Sequence, residues 1–156
     1  MRDCAPIALL NPNVRIFSQG RRIEIIESEV DHTGFYTCVA ESVAGKTDKN
    51  YTVEVLVPPE IRDSIGVKHP SVISNDSIEL DCTVLGVPTP VVTWYRDSKP
   101  LNSSDARFQI LDGGLRLKVN FAKVRDSARY SCRAVNVAGQ SEKYFDLNIL
   151  GKWLIF

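Results

Sequence analysis

The chain has 156 residues, 44% apolar and 24% charged, and its 19 acidic residues balance 19 basic ones to a net charge of zero. The length fits one domain plus a piece, or one large domain, and the composition is ordinary for a folded chain. The lack of any like-charge block argues against nucleic acid or an acidic membrane surface as partner, and no apolar run nears the roughly 20 residues of a membrane span.

The N-terminal stretch Met1–Leu10 has a basic residue and a short apolar patch. Its six residues from Ala5 to Leu10 fall short of the usual h-region of about 7–15 residues. Asn11-Pro12-Asn13 follows, without a small-residue cleavage pattern. No signal peptide is expected, and Met1 reads as the start of a fragment. Strand signals follow at Val14/Ile16, Ile23/Ile25, Tyr36/Cys38/Ala40 and Tyr51/Val53/Val55. Val57-Pro58-Pro59-Glu60 reads as a short stiff connector.

Beyond it, Ile78, Leu80, Cys82 and Val84 alternate with Glu79, Asp81 and Thr83. This is the period of a half-buried strand. Gly86-Val-Pro-Thr-Pro90 is expected to break it. Val92 and Trp94 then face one way, Thr93 and Tyr95 the other. Phe108/Ile110, Leu115/Leu117/Val119, Tyr130/Cys132/Ala134 and Phe145/Leu147/Ile149 continue the alternation, with Asp112-Gly113-Gly114 as a tight turn. No segment has helical period. Many short alternating strands argue for an all-β fold, an antiparallel sandwich.

Tyr36-Thr-Cys-Val-Ala-Glu-Ser-Val-Ala-Gly45 reappears 94 residues later as Tyr130-Ser-Cys-Arg-Ala-Val-Asn-Val-Ala-Gly139. The spacing holds without a gap from Gly20/Gly114 to Leu56/Leu150. A fixed repeat of domain size indicates copies of one module.

In the second copy Trp94 lies 12 residues after Cys82, Cys132 lies 50 after it, and Tyr130 sits two before Cys132. These residues, with Asp126-Ser-Ala-Arg-Tyr-Ser-Cys132, resemble an immunoglobulin domain of the I-set type over about residues 58–150. The resemblance implies a β-sandwich core with a Cys82–Cys132 bridge across it and Trp94 packed against the bridge. It also implies that Tyr130 makes a tyrosine corner, that Leu117 is core and that Arg107 pairs with Asp126 structurally. Two reduced thiols, as in cytoplasmic members, are the alternative to the bridge.

Counting back 94 residues puts the equivalents of Cys82 and Trp94 before Met1. Residues 1–57 are therefore expected to be an incomplete I-set domain with strands of about D to G. Residues 58–150 should be a complete one, and 151–156 a non-repeat tail. Cys38 has no family partner. Cys4 is the other candidate, but the register sets it just after the third strand, so two unpaired cysteines are expected. Asn13 and His32 stand where the second copy has Arg107 and Asp126. The exposed inner face should leave this half marginal alone or awaiting a partner strand.

No CxxC, HExxH, Walker loop or GxSxG occurs. His32 and His69 have no ligand-spaced neighbours. No enzyme, cofactor or metal site is expected. Asn50-Tyr-Thr, Asn75-Asp-Ser and Asn102-Ser-Ser are candidate N-glycosylation acceptors.

Tandem I-set modules with a two-proline connector, and the segments Cys38-Val-Ala-Glu-Ser-Val-Ala-Gly-Lys46 and Val55-Leu-Val-Pro-Pro59, resemble the long arrays of hemicentin-type matrix proteins. The resemblance implies a structural and adhesive role outside the cell. Neighbouring Ig modules and matrix or cell-surface proteins would be the partners. The alternatives are the ectodomain of a cell-surface receptor or neural adhesion molecule, an intracellular muscle-type array, or an Ig segment of a matrix peroxidase.

Overall fold

The computed structural model describes Ile7 and residues 12–102 and 104–152. The chain forms two compact units, Met1–Leu56 and Val57–Phe156.

The first unit has two antiparallel pairs. β1 (Val14–Phe17) pairs β2 (Arg22–Ile25), with Ile16 opposite Ile23. β3 (Gly34–Ser42) pairs β4 (Gly45–Val53), with Tyr36 opposite Tyr51. Val55, expected on the last strand, lies past its end. Short 3-10 turns at Ser18–Gly20 and Val30–His32 complete the unit.

Among its described residues the second unit contains eleven strands, β5 to β15. β5 (Val57–Ile61) pairs β9 (Val84–Val87). The Val57-Pro-Pro-Glu60 segment is thus a strand rather than a connector. Proline is tolerated there because β5 lies at an edge, and its register slips between Val57 and Glu60. β6 (Val67–Lys68) and β7 (Ser71–Ile73) both run parallel to β15 (Gly139–Leu150). β8 (Ile78–Asp81), β13 (Arg116–Val119) and β12 (Phe108–Leu111) form one sheet. β10 (Val91–Arg96), β11 (Lys99–Pro100) and β14 (Ala128–Asn136) join β15 and β6 in the other, in the order β11-β10-β14-β15-β6. This is an immunoglobulin-like sandwich.

Two local expectations change. The single strand expected over residues 78–84 is interrupted at Cys82 and Thr83. There the chain passes from β13 to β5, and the Thr83 hydroxyl donates to Asp81 Oδ1 at 2.7 Å. The strand also continues through Gly86 and Val87, so the break begins only at Pro88.

The core of the second unit holds Leu80, Cys82, Trp94, Leu117, Val119, Tyr130, Cys132, Phe145, Leu147 and Ile149. Successive strand residues face opposite sides, so the alternation read from the sequence delivers these side chains inward. Ile110 shares a face with Phe108 yet stays 46% exposed. It sits on β12, which pairs only β13 among the described residues.

Candidate functional site

The chemistry of the second unit is built on three strands. β8 leads into Cys82, β14 carries Cys132, and the two are bonded across the sandwich with Cα atoms 6.4 Å apart. β10 brings Trp94 opposite Cys132 in register. The indole is buried, stacks on Phe145 with centroids 5.8 Å apart, and donates from Nε1 to Gly114 O at 2.7 Å. Gly114 has φ +107, and a Cβ there would meet Val92 O at 3.1 Å. The turn therefore needs glycine for both its backbone and its close approach to β10. Leu117 is fully buried on β13.

Tyr130, two residues before Cys132, donates its hydroxyl to Asp126 O at 2.8 Å. Burial pushes this phenol up to about 12. Asp126 lies in a 3-10 turn, Val124–Asp126, and its side chain is enclosed. Arg107 Nη1 donates to Asp126 Oδ2 at 2.7 Å and Nη2 to Oδ1 at 3.2 Å. The Lys123 N–H also donates to Oδ2, at 2.8 Å. Burial pushes the Asp126 carboxyl up, but Arg107 and the Lys123 N–H outweigh it and hold the group below the usual carboxylate range. Arg107 in turn is raised, chiefly by Asp126 and then by Asp105, to which Nη2 donates at 2.7 Å. The fork locks the turn that supports the tyrosine corner.

Some polar residues escape sequence reasoning. Lys143 reads as a solvated charge beside Glu142, yet it lies inward, opposite Cys132. Its Nζ donates to Arg62 O at 3.1 Å and Asp81 O at 2.9 Å, and burial lowers its pKa. The only hint in the sequence is that position 143 falls in phase with Phe145, Leu147 and Ile149. Asn136 Nδ2 bridges Val57 O and Pro88 O at 2.8 and 2.9 Å, tying β5 to the end of β9. No sequence motif announces it.

In the first unit, His32 occupies the place of Asp126. It is fully buried, accepts the Glu29 N–H on Nδ1 at 2.7 Å, and its carbonyl accepts the Tyr36 hydroxyl at 2.7 Å. An imidazole thus takes over the backbone contact that the carboxylate makes in the second unit. Cys38 is free and exposed on β3. Cys4 lies outside the described residues. Asn50 is exposed on β4, where its Oδ1 accepts the Thr37 hydroxyl at 2.8 Å. Asn75 is exposed in a turn at φ 74, and Asn102 is exposed in the segment after β11. Among the described residues no helix is long and apolar enough to cross a membrane.

The immunoglobulin I-set domain model matches residues 62–149. Hemicentin-1 from Mus musculus is 37% identical over 145 residues, which cover 93% of this chain and 2% of hemicentin-1. The chain thus spans about a fiftieth of that relative's length. Among solved structures, Sidekick-1 immunoglobulin domains 1–4 match with a TM-score of 0.70 at 23% identity, covering 90% of this chain and 37% of that one. The titin I-band fragment I67–I69 matches with a TM-score of 0.64 at 22% identity, covering 91% and 51%. The family model, the sandwich topology and the bridged Cys82–Cys132 core agree, and the chain belongs to the immunoglobulin I-set family.

Proposed function

We propose that this chain is a non-enzymatic, adhesive segment of a tandem immunoglobulin array in the extracellular matrix or at cell contacts, and that it binds neighbouring modules and matrix or cell-surface proteins. The observation that carries the reading is the repeat. The strands and turns of the first unit recur 94 positions later with the same lengths, apart from the extension of the last strand, and in the same pairings. In this reading residues 1–57 are the C-terminal half of one module, residues 58–150 are the next module, and residues 151–156 are a tail outside the repeat. Similarity to hemicentin-1 over 145 residues supports the matrix setting.

The bridge favours an oxidising compartment over the muscle-type alternative, because cytosolic thiols are kept reduced. Asn50, Asn75 and Asn102 are then the glycan acceptors. Mass spectrometry of the chain secreted from animal cells tests the setting. The expected result is an oxidised Cys82–Cys132 pair with hexosamine on Asn75 and Asn102. Reduced cysteines and bare sequons would overturn it.

A further inference from the structure

Strand register writes a charge pattern on the outer face of the second unit's larger sheet. Along β14, Arg129, Ser131, Arg133 and Val135 alternate with the inward Tyr130, Cys132 and Ala134, so they point to the opposite face. On β15 their cross-strand partners are Asp146, Tyr144, Glu142 and Gln140. On β10, Tyr95, Thr93 and Val91 lie opposite Ser131, Arg133 and Val135, and on β6 Val67 lies opposite Tyr144. The face thus carries a basic column on β14 beside an acidic column on β15, equal in charge.

These side chains are held in place. Arg133 Nε donates to Glu142 Oε1 at 2.9 Å, and its guanidinium lies 5.2 Å from the centre of the Tyr95 ring. Arg129 Nε and Nη2 donate to Asp146 Oδ1 and Oδ2 at 2.7 and 2.9 Å. The Tyr144 hydroxyl donates to Glu142 Oε2 at 2.8 Å. They are nonetheless open to solvent: the Arg129 side chain is 53% exposed and that of Arg133 42%. Pre-ordered arginine and tyrosine side chains lose little freedom when a partner covers them.

Stacked sheets lie about 10 Å apart with their strands within about 30° of each other. Two kinds of two-fold axis can lay this face on that of a copy. An axis across the strands sets β14 over β14 and stacks like charge on like. An axis along the strands sets β14 of each copy over β15 of the other. Arg133 then faces Glu142, Arg129 faces Asp146, Ser131 faces Tyr144, and Tyr95 reaches the level of Val67. Each contact occurs twice, as an isologous interface requires.

We propose that this face is a homodimer interface: a second copy of the chain docks on it about a two-fold axis parallel to the strands. The two second units then lie side by side and point the same way. The proposal rests on the adhesive reading above and names a partner for it. Electrostatic complementarity sets register and orientation, while Tyr95, Tyr144, Val91 and Val135 supply apolar area. Neither Asn75 nor Asn102 lies on β10, β14 or β15, so the face is compatible with glycans at both.

Sedimentation velocity of the full chain, secreted from animal cells, reads the assembly. A Cys4→Ser, Cys38→Ser background removes disulfide-linked dimers. The expected result is a dimer that weakens as salt rises from about 0.05 to 0.5 M, because the facing charges are screened. Arg133→Glu and Glu142→Arg should each weaken it at least about a hundredfold, since like charges then face each other twice. An equimolar mixture of the two variants should restore it. The double exchange, Arg133→Glu with Glu142→Arg, keeps the ion pair within each copy and so reads the surface without unsettling the fold. It should dimerise with itself and refuse the unexchanged chain. Free mixing of those two chains, dimers indifferent to either single reversal, or a chain monomeric at about 1 mM would overturn the proposal. Mass spectrometry of the same sample separates it from the reading beneath it. A monomer with an oxidised Cys82–Cys132 pair and glycosylated sequons sinks only the homodimer, whereas a monomer with reduced cysteines and bare sequons sinks both.

Discussion

The strands β3–β4 and β14–β15 have nearly the same backbone and opposite surroundings. Both carry a tyrosine corner, with hydroxyl-to-carbonyl distances of 2.7 and 2.8 Å. Among the described residues, only the second pair is crossed by a disulfide, and its inward side chains are buried where those of the first are largely exposed. The contrast separates two kinds of information in a β-sandwich. Turn chemistry and strand pairing are local and persist in the first unit. Burial is non-local and depends on strands far away in sequence.

The largest expected break in the comparison is Cys82→Ala. Removing the bridge over a 50-residue loop should cost about 4 kcal/mol in the chain-entropy model. Urea titration followed by hydrogen exchange should show β14 and β15 falling toward the protection of β3 and β4. An unchanged midpoint under oxidising conditions would contradict it. Next comes a matched pair: Leu117→Ala should cost about 3 kcal/mol, whereas Ile23→Ala should cost less than about 1, because only the first opens a cavity. Similar losses in the two variants would mean the first unit's face is covered in solution.

Asp126→Asn tests the ion pair and should cost about 2 kcal/mol near neutral pH, in the range of hydrogen bonds to charged groups. The folded-state pKa of Asp126 lies below its unfolded value. Its stabilisation is therefore present above the ordinary carboxylate value of about 4 and is lost as pH falls through the lower folded value. In the variant, melting temperature should depend less on pH on that acid side. The smallest effect belongs to Tyr130→Phe, about 1 kcal/mol for one hydrogen bond, and chevron analysis of folding and unfolding rates would register it.

Much of this was legible because β-sandwich signals are short and periodic. The strands β8, β10, β12, β13 and β14 and the inward set from Tyr130 to Ile149 follow from alternation, and the Asp112–Gly114 turn from its glycines, whereas the proline-bearing β5 does not. The Cys82–Cys132 pairing required the resemblance to the I-set family, since spacing by itself left a reduced pair open. What the chain concealed depends on partners distant in sequence. Lys143 has a charged identity and an apolar position, and two backbone carbonyls from other strands reconcile them. His32 stands in for a carboxylate because the position demands a hydrogen-bond acceptor for the Glu29 N–H, which the imidazole Nδ1 supplies. Ile110 obeys the alternation but sits on an edge, so a correct face did not bring burial.

The parallel pairing of β7 with β15 has a mechanical consequence. Ser71–Ile73 lie beside Asn148–Leu150, near opposite ends of the second unit's sequence. Tension applied through those ends runs along the two strands in opposite senses. It therefore loads their hydrogen bonds together in shear rather than unzipping them singly. Once that patch slips, the Cys82–Cys132 bond withholds the loop it closes from the extending chain. At about 3.4 Å per residue, an oxidised module lengthens by roughly 170 Å less than a reduced one, so redox state sets the reach of each yielding event.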